Sequence, residues 1–210
     1  MIFDIVQRTE ELFSADFDIV HKGRIIGHML FQGRLGSMEG VWTIQCLGRT
    51  VSMERCSAGE AGAVDEWTFR PYAVSVDGSE AGAVYQTRHR AGLFRSFDYH
   101  RLQLLGTTYV EYLIALGKEG GKCPIYVGDR QAALIEKDSV VYNDLHHYHV
   151  TAAGEEPALA AVILCGYMYA NAAYKPGQKV TKSVEKDYSK TTDKALLEKL
   201  DPQFKAGIPE

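Results

Sequence analysis

The sequence predicts a mainly β protein, built from antiparallel strands, with one apolar helix near the C-terminus. Three observations carry that prediction. From about 17 to 152 the chain alternates apolar and polar residues with period two, in short runs rich in β-branched and aromatic side chains and broken by glycine. A hairpin pattern recurs within that region. At 158–173 the alternation gives way to ALAAVILCGYMYANAA, a run without a charge.

The strands read in order. In VWTIQCL, Trp42, Ile44 and Cys46 face one way and Thr43 and Gln45 the other. In RTVSMERC, Val51 and Met53 alternate with Ser52 and Glu54, and TTYVEYLIAL at 107–116 reads as one longer apolar strand. About a dozen such runs are more than a sandwich usually holds and suit a barrel. FDIVHKGRIIGHMLF, from Phe17, aligns without gaps on YAVSVDGSEAGAVYQ, from Tyr72, so that Gly23 meets Gly78 and Gly27 meets Gly82. YVGDRQAALI is a fainter third copy, with Val127 on Val76 and Ala133 on Gly82. Each copy is a strand, a tight turn and a returning strand, because the K-G, D-G and G-D pairs supply the positive φ such turns need. Similar turn chemistry alone can make hairpins alike, but three of them favour an antiparallel meander over an α/β fold.

The charge-free run has helix signals at both ends. Thr151 to Glu156 is a polar approach, Pro157 suits the start, and Glu155 and Glu156 face the positive end of the helix dipole. Lys175 lies near the negative end, and Pro176-Gly177 stops the segment. A helix apolar on every side is surrounded by protein or by lipid. A membrane span needs about 20 apolar residues, and this run is shorter and alanine-rich, so burial in protein is expected. After 175 the composition turns to Lys, Thr, Asp and Glu. The expected division is a barrel unit over 1–175 and a charged tail over 176–210. In the tail Thr192 would cap a short helix, DKALLEKL, ended by Pro202. Its stripe of Leu196, Leu197 and Leu200 would dock weakly.

The F-x-I…G-x-x-x-G hairpin at Phe17–Gly27, its partner at Tyr72–Gly82, the PIYVGDRQAALIEK hairpin at 124–137 and the helix at 158–173 together span about 17–175. In this order they resemble the tubby-like superfamily, which includes the tubby C-terminal domain, phospholipid scramblases, LURP-one-related proteins and small bacterial relatives. The resemblance implies a closed antiparallel barrel of about twelve strands with the hydrophobic helix threaded through its middle. A physical argument points the same way: a barrel that wide is not filled by its own side chains, so something apolar must occupy it. The charged tail departs from the simplest family members, which end soon after the helix. Tubby binds phosphoinositides through basic barrel residues, and these have no residue-by-residue match here.

The net charge of −4 over 210 residues argues against non-specific nucleic-acid binding. Cys46, Cys56, Cys123 and Cys165 form no C-x-x-C, and MIFDIVQRTEELF, with Asp4, Arg8, Glu10 and Glu11, is no secretory signal. A cytoplasmic protein with reduced cysteines is the expectation. DLHHYHV places His147 and His149 on one strand face and His146 and Tyr148 on the other. The first pair would bind a metal only with a third ligand such as His89, His100 or a carboxylate, and no spacing supplies one. No metal or cofactor is therefore expected. GKEGGKCP fails as a phosphate loop, with Leu116 where the first glycine belongs and Cys123 in place of Ser or Thr. There is no G-x-S-x-G, a nucleophilic Cys56 would need a base that the sequence alone does not place, and Asp65-Glu66 reads as solvated.

RHRAGLFRSFDYHR at 88–101 stands out. It sets Arg88, Arg90, Arg95 and Arg101 against one acid, Asp98, with Phe94 and Phe97 between them. Arginine beside exposed aromatics suits phosphates or a membrane interface. The plainer reading is arginines paired with the protein's own acids. The function expected is a non-enzymatic binding or interaction module for an anionic lipid, another phosphate-bearing partner or a protein. A barrel enzyme with a site near 146–149 or Cys56, or a protein anchored through 158–173, are the alternatives.

Overall fold

A computed structural model describes residues 1–11, 13–34, 39–62, 68–90, 96–138, 145–171, 191 and 193–208. Among them the strands are β1 (Ile2–Glu11), β2 (Ser14–His21), β3 (Arg24–Arg34), β4 (Glu39–Cys46), β5 (Arg49–Arg55), β6 (Phe69–Val76), β7 (Ser79–Arg90), β8 (Ser96–Leu104), β9 (Thr107–Tyr112), β10 (Ile114–Ala115), β11 (Gly121–Val127), β12 (Arg130–Lys137) and β13 (His147–Ala152). The helices are α1 (Glu155–Ala170) and α2 (Lys194–Leu197).

Every strand pairs antiparallel with its neighbour in the chain except β9 with β10, and two further pairings close the sheet. β13 joins β1, from Ile2 opposite Thr151 to Val6 opposite His147, and β11 joins β9, with Ile125 opposite Glu111. β9 and β10 lie along the same partner and make one stave broken at Leu113, so the run expected as a single strand over 107–116 is interrupted. The result is a closed antiparallel barrel of twelve staves.

Tight turns set one end of it. Lys22-Gly23, Leu47-Gly48, Asp77-Gly78 and Leu105-Gly106 have positive φ at both positions. That is the mirror-image turn whose twist matches a right-handed hairpin. The two Leu-Gly turns hide from composition, since leucine in the left-handed region costs roughly 1–2 kcal/mol. The recurring hairpin has a structural cause as well. At Ile19/Val20, Val74/Ser75 and Ile125/Tyr126 the register slips by one residue, leaving Ile26, Ala81 and Ala132 as bulges. The next residue is then pressed on the following strand. A Cβ at Gly27 would fall on the Gln45 carbonyl oxygen, and one at Gly82 on that of Gln103. The third copy carries Ala133 at this point.

α1 occupies the barrel's interior. Every residue from Ala158 to Tyr167 is buried. Tyr169 meets Phe17 of β2 and Trp42 of β4 edge-on, with centroids 4.9 and 5.9 Å away, and Tyr167 meets Tyr72 of β6 at 5.8 Å. A Cβ on Gly166 would lie 3.1 Å from Met53 Cε and 3.3 Å from Met29 Cε, so the helix passes close to the β3–β5 wall. On the β11 side the Cys123 thiol donates to Met168 Sδ at 3.7 Å. The wall supplies alternate residues: Trp42, Ile44 and Cys46 point inward together, as do Val51 and Met53. The observed helix begins three residues before the expected 158, and its last residue is Ala170; 172–173 lie outside the described residues. No helix among the described residues is long and apolar enough to cross a membrane.

The tail is strapped to the outer wall. Thr191 N donates to Ala115 O and Ala115 N to Thr191 Oγ1, both at 2.9 Å. Asp193 caps α2 by accepting from Ala195 N at 2.9 Å and Leu196 N at 3.2 Å, whereas the expected cap, Thr192, lies outside the described residues. Leu196 is buried, Leu197 is exposed and Leu200 half-buried, so the predicted stripe is only partly used. Beyond it, Tyr126 OH donates to Lys199 O at 2.7 Å, Asp201 N donates to Gln131 Oε1 at 3.1 Å, and Lys205 pairs with Glu136.

Candidate functional site

The two ends of the barrel differ. The tight turns and the start of α1 share one end. The longer connections, through 35–38, 56–68, 91–95, 116–120 and 138–146, share the other, toward which the C-terminus of α1 points. Polar residues replace apolar ones on the inner wall at that second end. α1 has no basic residue in its last turn, and β6 supplies one instead: Arg70 Nη1 donates to Asn171 O at 3.5 Å. Arg70 itself has φ +54°, and its carbonyl accepts from Tyr167 OH at 3.0 Å.

His100 of β8 and Glu111 of β9 form the tightest pair there. Glu111 is fully buried, and its Oε2 lies 2.7 Å from His100 Nδ1, with the imidazole edge-on to Tyr167. A carboxylate oxygen accepts from the ring N–H, which fixes the tautomer and leaves Nε2 as the basic nitrogen. The nearby thiols do not complete a nucleophilic site. Burial pushes Cys123 and Cys165 well up from the usual thiol range, and the Glu111 charge adds to this. Burial also pushes Cys46 up to about 11, and Cys56 is raised by burial and by Glu60.

Across the mouth, Gln7 binds His146 at two points and Tyr169 at a third. Its backbone N donates to His146 O and its Oε1 accepts from His146 N, both at 2.9 Å, while its Nε2 donates to Tyr169 OH at 3.1 Å. The His146 ring stacks on Tyr148 and is held down to a pKa of about 3 by burial, with the Lys137 charge second. Lys137 lies over the Tyr148 ring, donates to Asp138 O at 3.0 Å, and is lowered to about 8 by burial.

The arginine segment divides. Arg88 forks onto Asp98, Nε to Oδ1 at 2.6 Å and Nη2 to Oδ2 at 3.1 Å, and Gln86 donates to the same carboxylate at 2.8 Å. That is the plainer reading, an arginine paired with the protein's own acid. Arg101 is half-buried on the outer face beside Phe97 and Tyr99. Arg90 stands in register with Ser96. Phe94 and Arg95 lie outside the described residues. The backbone here has a distinctive shape. β6 pairs with β7 only from Phe69 opposite Gln86, and β9 pairs with β8 only as far as Tyr112 opposite Tyr99. The pairs Arg88–Asp98, His89–Phe97 and Arg90–Ser96 lie beyond the last pairings with β6 and β9, while the β9–β10 stave itself runs on to Ala115. These three pairs form a two-stranded ribbon about 10 Å long, at roughly 3.3 Å per residue.

His147 and His149 share the outer face of β13, as their spacing predicts. Both address one oxygen: Asp4 Oδ1 is 3.1 Å from His147 Nε2 and 2.9 Å from His149 Nδ1. The carboxylate comes from β1 across the barrel seam, which no local spacing reveals. Among the described residues no group of three His, Cys, Asp or Glu side chains is arranged to hold a metal ion.

The sequence reading missed the His100–Glu111 pair, yet a signal exists. The two residues are equidistant from the Leu105-Gly106 turn, so recognising that turn places them opposite each other. No family model matches the chain, and neither a curated protein nor a solved structure matches it.

Proposed function

We propose that the protein is a cytoplasmic, non-enzymatic binding module with a barrel of the tubby-like kind, and that its β7–β8 ribbon meets an anionic lipid or another phosphate-bearing partner. The ribbon carries this reading. It places Arg90 beyond the last pairings with β6 and β9, and the connecting sequence adds Phe94 and Arg95, while Arg88 locks the base of the ribbon through Asp98. Guanidinium groups suit phosphate oxygens because they donate two parallel hydrogen bonds. Supporting the tubby-like reading are the twelve staves and the helix within them. Four free cysteines agree with a reducing compartment.

The test is sedimentation with phosphatidylserine vesicles at low salt. Binding should fall steeply as salt rises, since the Debye length shrinks to about 8 Å at physiological ionic strength. Arg90→Glu with Arg95→Glu should abolish it without changing the melting temperature. A wild-type protein that ignores such vesicles ends this reading.

One observation favours a second reading, a barrel enzyme. A carboxylate-held imidazole at the mouth is the arrangement general bases use. That reading predicts that His100→Gln abolishes a turnover found by substrate screening while the fold is kept.

A further inference from the structure

A chain of aromatic rings runs across the outer wall, and the ribbon reading does not use it. Phe97 and Tyr99 stand on β8, Tyr112 on β9 and Tyr126 on β11, all half-buried. Tyr112 lies 5.9 Å from Tyr99, 6.0 Å from Tyr126 and 6.1 Å from Phe97, centroid to centroid. The ring planes turn by 35° from Tyr99 to Tyr112 and by 74° from Tyr112 to Tyr126, so the rings form walls and not a flat floor.

A cation already sits between two of these walls. Lys199 Nζ is 5.2 Å from the centre of Tyr112 and 5.8 Å from that of Tyr126. Its backbone is held in place, since Lys199 O accepts from the Tyr126 hydroxyl at 2.7 Å. The residue is half-buried. Asp201 adds a negative charge near Tyr126, where it reinforces the effect of burial in raising the phenol's pKa. Among the described residues the partners of the Lys199 ammonium are rings and not a carboxylate. A lysine ammonium is strongly hydrated and has three N–H donors to satisfy. Ring faces satisfy a cation that has no such donors far better, which is why aromatic cages take quaternary ammonium groups.

We propose that Tyr112 and Tyr126, with Tyr99 packed beside Tyr112, form a cage for a quaternary ammonium group, and that Lys199 of the tail occupies it as an intramolecular stand-in. Ligand and tail then compete for one site, and a ligand that wins releases the strap. The proposal does not rest on the ribbon's reading. Choline headgroups and trimethylated lysine share the chemistry, and separate arms of one experiment tell them apart.

The full-length protein is titrated with choline chloride against sodium chloride at matched ionic strength, followed by the aromatic proton shifts of the tyrosines. Lys199→Ala should bind choline about fivefold or more tightly than wild type, the scale of a modest coupling between competing groups. Tyr112→Leu in the Lys199→Ala background should remove the binding. Should Lys199→Ala lower the melting temperature, Lys199→Met keeps the stem and empties the charge, and the same gain is expected from it. Saturable binding to phosphatidylcholine vesicles assigns the group to a lipid, and binding to a trimethyllysine peptide assigns it to a protein. Arg90→Glu with Arg95→Glu must leave choline binding intact. If neither Lys199 variant gains affinity for choline over wild type, or if Tyr112→Leu leaves the binding in place, the rings only anchor the tail and the proposal is wrong.

Discussion

The imidazole of His100 and the carboxylate of Glu111 meet 2.7 Å apart on either side of the Leu105-Gly106 turn, with the carboxylate sealed from solvent. Removing one partner of such a buried pair leaves the other uncompensated, at a cost of about 3–5 kcal/mol. His100→Ala should therefore lower the melting temperature by about 10 °C in a domain of this size. His100→Leu combined with Glu111→Leu should recover most of that loss, because apolar replacement of both partners is often neutral. Thermal melts of His100→Leu, Glu111→Leu and the double variant test this. Strictly additive losses would show that the two residues do not act as a pair.

Gly82 should be the least replaceable glycine of the hairpin repeat. Its φ of +142° is open to few side chains, and a Cβ there would strike the Gln103 carbonyl oxygen. Gly82→Ala should cost about 3 kcal/mol or more. Gly48→Ala should cost only about 1 kcal/mol, because Gly48 has φ +71° and open space around its Cβ position. Urea denaturation of both variants decides the order, and equal losses would show that the bulge can relax.

Two buried bases make stability depend on pH with the same sign. The folded chain holds Lys137 near 8 against an ordinary 10.5, so from pH 8 to 10.5 the unfolded chain binds more protons and stability rises with pH. Below pH 8 the full penalty is present, on the order of 3 kcal/mol. Lys137→Met should accordingly stabilise the protein at pH 7, with a gain that fades by about pH 10.5. His146, held near 3 against 6.5, costs nothing above 6.5 and destabilises the fold as pH falls from 6.5 to 3. Melting temperatures of wild type, Lys137→Met and His146→Phe across this range read both effects. A gain from Lys137→Met that persists unchanged at pH 11 would locate its origin in packing and not in charge.

The tail should matter to stability. Leu196 is buried, and the strap makes hydrogen bonds to Ala115, Gln131 and Tyr126. Leu196→Ala should cost about 2 kcal/mol, the low end for a buried leucine. A chain ending at 190 should melt several degrees lower and expose Tyr126 to quenchers. An unchanged melting temperature in the shortened chain would mean that the strap rides on the barrel without supporting it.

What the sequence made legible was whatever a short window contains. Alternation placed Trp42, Ile44 and Cys46 together on the inner wall, because period two is enforced by the pleat itself. The absence of charge from Ala158 to Ala170 marked the helix that the interior needs. Gly27 and Gly82 aligned because each follows a bulge that drives the backbone against the next strand. Other features depend on distant partners. Asp4 joins His147 and His149 only because the seam brings β1 to β13, and no local pattern encodes that closure. The break at Leu113 was hidden inside an unbroken apolar run. Lys199 lay in a charged tail whose composition suggests solvent, while its position is set by tyrosines on two strands.

The seam also governs the order in which the barrel can be built. Every other pair of neighbouring staves is consecutive in the chain, so a growing sheet can zip up locally, hairpin by hairpin. β1 must wait for β13, its mate some 145 residues later, before the wall can shut. α1 follows β13 and emerges from the ribosome after the last stave. A sheet that shut at once would leave no way in for the helix, and one that stayed open would hold its whole inner face in water. Synthesis therefore delivers the filling last, and a nascent chain stalled at 153 is an open sheet in need of a chaperone until the next seventeen residues appear.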